Sequence, residues 1–290
     1  MGTLVSIVVD ALAFGGVYAL LAAGFSVILR ASRVAQFGAG YVALVGALVI
    51  SHLTPGLPEW LSLVVSLPIG ALLGIVLFFV IAKIGAFFGV SETSLSIAAL
   101  ALGLLIGSLI SKATSSAVLT APLFVGGYVK IGGQAIEWNQ FFTIGAAFVV
   151  LVGAYFLVGR TMLGKAMTAV CRAPSVAAAS GLRIDWVVCA SWMIGTALMT
   201  YAGAVLTPMS PISSDSVLDL ALKGFAGAII GGVDRPAHAA AGALILAVAD
   251  TLFVRYVSGG LEDVFVFGLV FVLLTVRPSG LFGSEQVRYA

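Results

Sequence analysis

Three groups of residues in this chain have types and spacings that chemistry uses. Gly159, Gly164 and Lys165 fit G-x-x-x-x-G-K, the spacing with which a phosphate-binding loop cradles a nucleotide. The next residue is Ala166, where magnesium ligation needs Ser or Thr, and the match follows an apolar run of membrane-helix length instead of a strand. Nucleotide chemistry is therefore not expected on this chain. His52 and His238 stand alone in predicted loops near opposite faces, and Cys171 and Cys189 are eighteen residues apart with no Cys-x-x-Cys. Such isolated residues make neither a metal site nor a disulfide framework, and the sequence holds no nucleophile elbow and no H-E-x-x-H. No catalytic residue and no metal ligand is assigned, and a membrane enzyme is disfavoured.

The third group is acidic. Asp250 lies well inside an apolar run, where a carboxylate is costly and marks either a polar path or an internal pairing. It is expected to face the subunit interior and to pair with a backbone donor or a neighbouring chain. Asp10, early in the first apolar run, is placed at the membrane interface. Carboxylates at such depth also serve ion-coupled carriers, which keeps a second class open: a self-sufficient secondary transporter driven by a proton or sodium gradient.

The elements that must hold these residues are membrane helices. The 290 residues are 61% hydrophobic and 9% charged, with a mean hydropathy of +1.19, far from the balance of a soluble domain. The expected fold class is all-α, a polytopic membrane protein forming a single transmembrane domain over residues 1–290. Apolar runs of bilayer length number eight or nine, the seventh (about 217–233) and ninth (about 264–276) being short enough for one to be re-entrant. The 35 glycines suit close helix packing, and Gly70/Gly74, Gly103/Gly107 and Gly227/Gly231 form small-xxx-small pairs.

With nine crossings, Arg30, Arg33, Lys83, Arg160, Lys165, Arg172, Arg183, Arg235, Arg277 and Arg288 fall on one side, and Lys112, Lys130, Lys223 and Arg255 on the other. The positive-inside bias assigns the richer side, and the C-terminus, to the cytoplasm and the N-terminus to the outside. The stretch at about 111–137, with Pro122, Gly126, Gly127, Gly132 and Gly133, becomes an external loop of turns and short strands. A net charge of +2 with dispersed basic residues gives no reason to expect nucleic acid.

The longest polar interruption, about 160–184, divides into two short helices. Thr161 suits the cap of the first, Pro174 the first turn of the second, and Gly181 its end. Two readings stay open for it. One is an interfacial helix pair with Met167, Val170 and Val176 on lipid; the other is a docking knob whose small face, Ala177 to Ser180, lets another protein approach closely.

The chain resembles the permease subunits of bacterial ABC importers of the branched-chain amino acid family, the LivH type. The resemblance rests on Gly15 to Val34, Thr161 to Val187, Gly224 to Gly232 and the terminal RPSGLFG at Arg277 to Gly283, in consistent order along nearly the whole chain. It implies a bacterial inner-membrane subunit that binds no cofactor itself, ATP and magnesium being held by partners. Those partners are two ABC ATPase subunits, a second permease (a LivM-like chain or a second copy) and an extracytoplasmic solute-binding protein. It further implies that Arg172, Ala173, Pro174, Ala177, Ala178 and Gly181 form the coupling contact with the ATPases.

Two stretches depart from the family's pattern. Gln36, Phe37, Gly38, Ala39, Gly40 and Tyr41 keep one amide but lose a second amide and a carboxylate common there. Gln36, Gly38, Gly40 and Tyr41, with Asp250, are assigned to the translocation path, Gly38 and Gly40 being expected to open the start of the second helix and expose backbone to it. The lost carboxylate leaves the solute as a hydrophobic amino acid, an amide or a small organic acid. The second departure, Val233-Asp234-Arg235-Pro236-Ala237-His238, replaces a glycine- and serine-containing hinge.

Overall fold

The computed structural model describes residues 2–283 apart from 116, 132, 133, 215 and 278. Gly132, Gly133, Pro278 and Arg288, which figure in the sequence reading, lie outside the described residues. Long apolar stretches leave the backbone no partner but itself in a bilayer, so the chain resolves into helices running back and forth between two ends. α1 (Gly2–Ser32) leaves the N-terminal end and α2 (Ala39–Leu53) returns to it. α3 (Glu59–Leu77) passes through a π-helical turn at Phe78–Lys83 into α4 (Ile84–Phe87), and α5 (Glu92–Ala113) returns. A hairpin of β1 (Tyr128–Ile131) and β2 (Gln134–Glu137), antiparallel with Tyr128 opposite Glu137, precedes α6 (Trp138–Arg160). At the far end α7 (Met162–Arg172) and α8 (Pro174–Ala179) lead into α9 (Ile184–Leu206), and α10 (Val217–Gly231), α11 (Pro236–Tyr256) and α12 (Glu262–Val276) complete the bundle.

The protein is an all-α polytopic membrane protein: seven helices among the described residues are long and apolar enough to cross a bilayer. The two short passes are α2 and α10, with 15 residues each, about 22 Å against roughly 30 Å of hydrocarbon. The short pair is thus the second and seventh passes and not the seventh and ninth, because the turn Gly259–Leu261 lengthens the last one to 18 residues.

α1 and α9 form the centre. A Cβ on Gly24 would stand 2.6 Å from the Gly195 carbonyl oxygen, and one on Gly195 would stand 2.7 Å from that of Gly24. Such mutual approach is how membrane helices gain contact where no hydrophobic effect drives them together. The three glycine pairs read from the sequence all serve packing: Gly70 and Gly74 lie against α9, Gly103 and Gly107 against Gly38 and the Tyr41 ring, and Gly227 and Gly231 against α11. Thr196 Oγ1 adds a 2.9 Å donation to the Gly70 carbonyl.

The terminal motif caps α10. The amides of Leu281 and Phe282 donate to the carbonyls of Ile230 (2.7 Å) and Gly231 (3.2 Å), which the end of the helix leaves without intrahelical partners. Gly232 (φ 99°) and Gly280 (φ 82°) both sit in the left-handed region, and a Cβ on Gly280 would meet the Ile229 carbonyl oxygen at 2.7 Å.

Candidate functional site

Two features at opposite ends of the bundle collect the polar chemistry. At the N-terminal end, a cavity of about 880 Å³ lies among α1, α10, α11 and α12. Its deep wall is an ion cluster. Lys223, one helical turn after Asp219 on α10, has its Nζ 3.3 Å from Asp219 and 3.7 Å from Asp250 Oδ2, and in direct contact with Glu262. The Tyr18 ring on α1 lies 5.9 Å from the same ammonium, within cation–π reach. Lys223 and Asp250 are 6% and 5% exposed, so neither charge is solvated from the surface. Asp10 lines the cavity from α1 and accepts a 2.7 Å hydrogen bond from Gln140 Nε2.

Lys223, assigned from the sequence to the side poorer in basic residues, is buried within α10, where three carboxylates offset the cost of taking an ammonium out of water. Asp250 faces the interior, as its depth requires, and within the chain its charge partner is Lys223. Asp219 and Glu262 complete the cluster and escape a reading of hydropathy alone. The i,i+4 spacing of Asp219 and Lys223 is the signal that finds the first pair.

The Gln36 to Tyr41 segment adjoins a separate cavity of about 150 Å³ on the other side of α10. Phe25, Phe37 and Phe225 enclose it with centroids 5.1–6.5 Å apart. Gln36 is 1% exposed, lines this cavity, and its Oε1 has no hydrogen-bond partner. Gly38 and Gly40 do not open backbone to a path. α2 begins at once, with Val42 N donating to Gly38 O at 3.1 Å, and the two glycines lie against Ala99 of α5 and Val217 of α10 with no room for a Cβ. Tyr41 is buried over Gly103 and Gly107. Of the five residues assigned to the path, Gln36 and Asp250 line cavities, and they are separate ones.

At the far end α7 and α8 form a ledge across the bundle. Gly164, Met167 and Val170 turn inward and, with Ala177, pack on Val27, Ala31, Val158 and Val187. Arg30 donates to Thr168 Oγ1 (2.5 Å), Arg33 to the Cys171 carbonyl (3.1 Å), and Lys83 pairs with Asp185. The Gly164 of the false nucleotide motif serves contact: it lies against the Val158 carbonyl where α6 turns into α7. Pro174 opens α8, and Gly181 (φ 83°) closes it in a Schellman turn, with Leu182 N donating to Ala177 O (3.1 Å) and Gly181 N to Ala178 O (2.9 Å). Thr161 does not cap α7; its hydroxyl donates back to the Leu157 carbonyl.

Among the coupling residues, Arg172, Pro174, Ala178 and Gly181 are exposed, Ala173 is half-buried and Ala177 is buried. Met167 and Val170 face protein instead of lipid, and Val176 is exposed. His52 and His238 lie in end turns of α2 and α11, not in loops, and no group of three metal-ligating side chains occurs among the described residues.

Residues 7–274 match the family described as the permease component of the branched-chain amino acid transport system. The chain belongs to this family. It is 27% identical over 178 residues to the high-affinity branched-chain amino acid transport permease BraD of Pseudomonas aeruginosa, covering 61% of this chain and 58% of that protein. It is 28% identical over 155 residues to LivH of Salmonella typhimurium, covering 53% and 48%. Against a Methanocaldococcus jannaschii protein described as a probable LivH permease, the identity is 27% over 291 residues, 95% of this chain and 91% of the other. The first two matches span about half the length of the relatives concerned. As a permease component of this family, the chain has its polar clusters on membrane passes and its exposed small-residue ledge at the opposite end.

Proposed function

We propose that this chain is the membrane-spanning permease subunit of an ATP-driven importer in the bacterial inner membrane. On this reading it carries a small amphipathic solute that a solute-binding protein delivers from outside. Family membership over residues 7–274 carries the reading, and the relatives' names supply the solute class, branched-chain amino acids. The ledge supports it: α7 and α8 are anchored to three helices beneath them and leave Arg172, Val176 and Ala178 facing out. A rigid surface element of that kind transmits a partner's movement to α1 and α9 as a body.

The ledge end carries Arg30, Arg33, Lys83, Arg160, Lys165, Arg172, Arg183, Arg235 and Arg277, against Lys112, Lys130 and Arg255 at the other end. That asymmetry supports a cytoplasmic ledge and an external N-terminus. ATP and magnesium then reside on two ATPase subunits docked beneath it, and a second permease chain, LivM-like or a second copy, completes the path.

Uptake by vesicles reconstituted with this chain, its companion permease, the ATPases and the binding protein tests the proposal. Solute accumulation should require internal ATP and all the partners. Accumulation that needs none of them and collapses when the proton or sodium gradient is dissipated would overturn it in favour of a secondary transporter.

A further inference from the structure

The cavity at the N-terminal end is not charge-balanced. Asp10, Asp219, Asp250 and Glu262 line it against Lys223 and Arg255, a formal surplus of two negative charges. Lys223 cannot satisfy all its neighbours. Its ammonium has three donors; Glu262 is in contact with it and Asp219 is at 3.3 Å, while Asp250 Oδ2, at 3.7 Å, is attracted without a hydrogen bond. The other oxygen, Asp250 Oδ1, is buried and has no hydrogen-bond partner, and Asp250 is part of the cavity wall. A buried carboxylate oxygen left so is costly unless something enters to donate to it.

Several occupants can be weighed by their chemistry. A solute carboxylate would meet the negative surplus of the wall. A hard metal ion needs several oxygens converging on one point, and no suitable group of three exists among the described residues. A protonated primary amine brings one positive charge and three donors, which Asp250 Oδ1 and the surplus both lack. The volume of about 880 Å³ is that of a small-molecule site.

We propose that this cavity is a station on the solute's route that receives the protonated amino group of an amino acid, with Asp250 as its acceptor. Glu262 and Asp219 hold Lys223 as the positioning residue that keeps Asp250 ionised, and acids or amides without an amine are disfavoured there. The proposal rests on the permease reading above and narrows its solute class.

The test uses the complete reconstituted importer with Cys171 and Cys189 replaced by serine and Thr251, on the cavity wall, replaced by cysteine. Labelling rates are compared for a cationic and an anionic methanethiosulfonate of similar size. The cationic reagent should react about tenfold faster, Asp250→Asn should bring the ratio towards one, and Asp250→Glu should preserve it. The same Asn substitution should lower amino-acid uptake about tenfold, one pairing's worth of charge, with Glu restoring it. Equal labelling rates, or a ratio that Asp250→Asn leaves unmoved, would overturn the proposal. If Asp250→Asn does not assemble, Asp10→Asn removes another surplus charge beside Gln140, and the ratio must fall there too. A wild-type complex without ATP-dependent uptake defeats the permease reading; ATP-dependent uptake with equal labelling defeats only this inference.

Discussion

The amide of Leu281 donates to the carbonyl of Ile230 at 2.7 Å, tying the chain after the last helix to the end of α10. α10 carries Lys223 two turns earlier, so the tail sets the position of the helix that bears the ion cluster. Gly280 makes the turn possible, with φ 82° and the Ile229 carbonyl where a Cβ would go. Gly280→Val should destabilise the docked tail by about 1–2 kcal/mol from backbone strain alone, with the steric contact adding to it. The measurement is thermal unfolding in detergent together with limited proteolysis of the C-terminal segment. An unchanged melting temperature and cleavage pattern would contradict the capping role.

Gly24 and Gly195 give a second prediction. Each is within 2.7 Å of where the other's side chain would begin, and both sides of the contact are backbone that cannot rotate away. Gly195→Leu should therefore separate α1 from α9 and remove most folded protein from the membrane fraction, whereas Gly153→Leu, at a site with open space around it, should express normally. Comparable yields for the two variants would show that the central crossing is not set by small residues.

The cluster on α10 makes a third. Lys223→Met strands three carboxylates, all lining the same cavity, and breaking a buried pair from one side costs on the order of 3 kcal/mol. Combining it with Glu262→Gln should recover part of the loss, since one uncompensated charge then disappears. The double-mutant cycle in thermal stability measures the coupling; additive losses would mean that the two groups do not interact.

What the sequence revealed and what it concealed follow from range. Pro174 and Gly181 act on their own few residues, one fixing φ and the other tolerating φ 83°, so the second ledge helix was readable to within a residue at each end. Asp250 was readable because a carboxylate within an apolar run is rare whatever surrounds it. Its partner was not, since Lys223 lies on a different helix and only the packing of α10, α11 and α12 brings it beside Asp250 and Glu262. Gly38 and Gly40 misled for the same reason. Glycine permits either an open backbone or a close neighbour, and only the arrival of α5 and α10 selects the second. Thr161 had two acceptable partners one turn apart, its own helix start and the Leu157 carbonyl, and local sequence does not rank them.

Ala177 and Ala178 adjoin in sequence, but the first is buried and the second exposed, which separates folding of the ledge from docking on it. Ala177 is 4% exposed and packs on Met167, Val170 and Val187; Ala178 points outward. Ala177→Trp should force α8 off its support and destabilise the subunit, because overpacking a filled core costs about 1–3 kcal/mol. Ala178→Trp should leave melting and membrane insertion unchanged while abolishing copurification of the ATPase subunits. Arg172→Ala, also exposed, should weaken that association in a salt-dependent way without the steric effect. Since both tryptophans differ from wild type by the same atoms, only the direction they face distinguishes them. Normal ATPase copurification with Ala178→Trp would remove this face of α8 from the coupling contact.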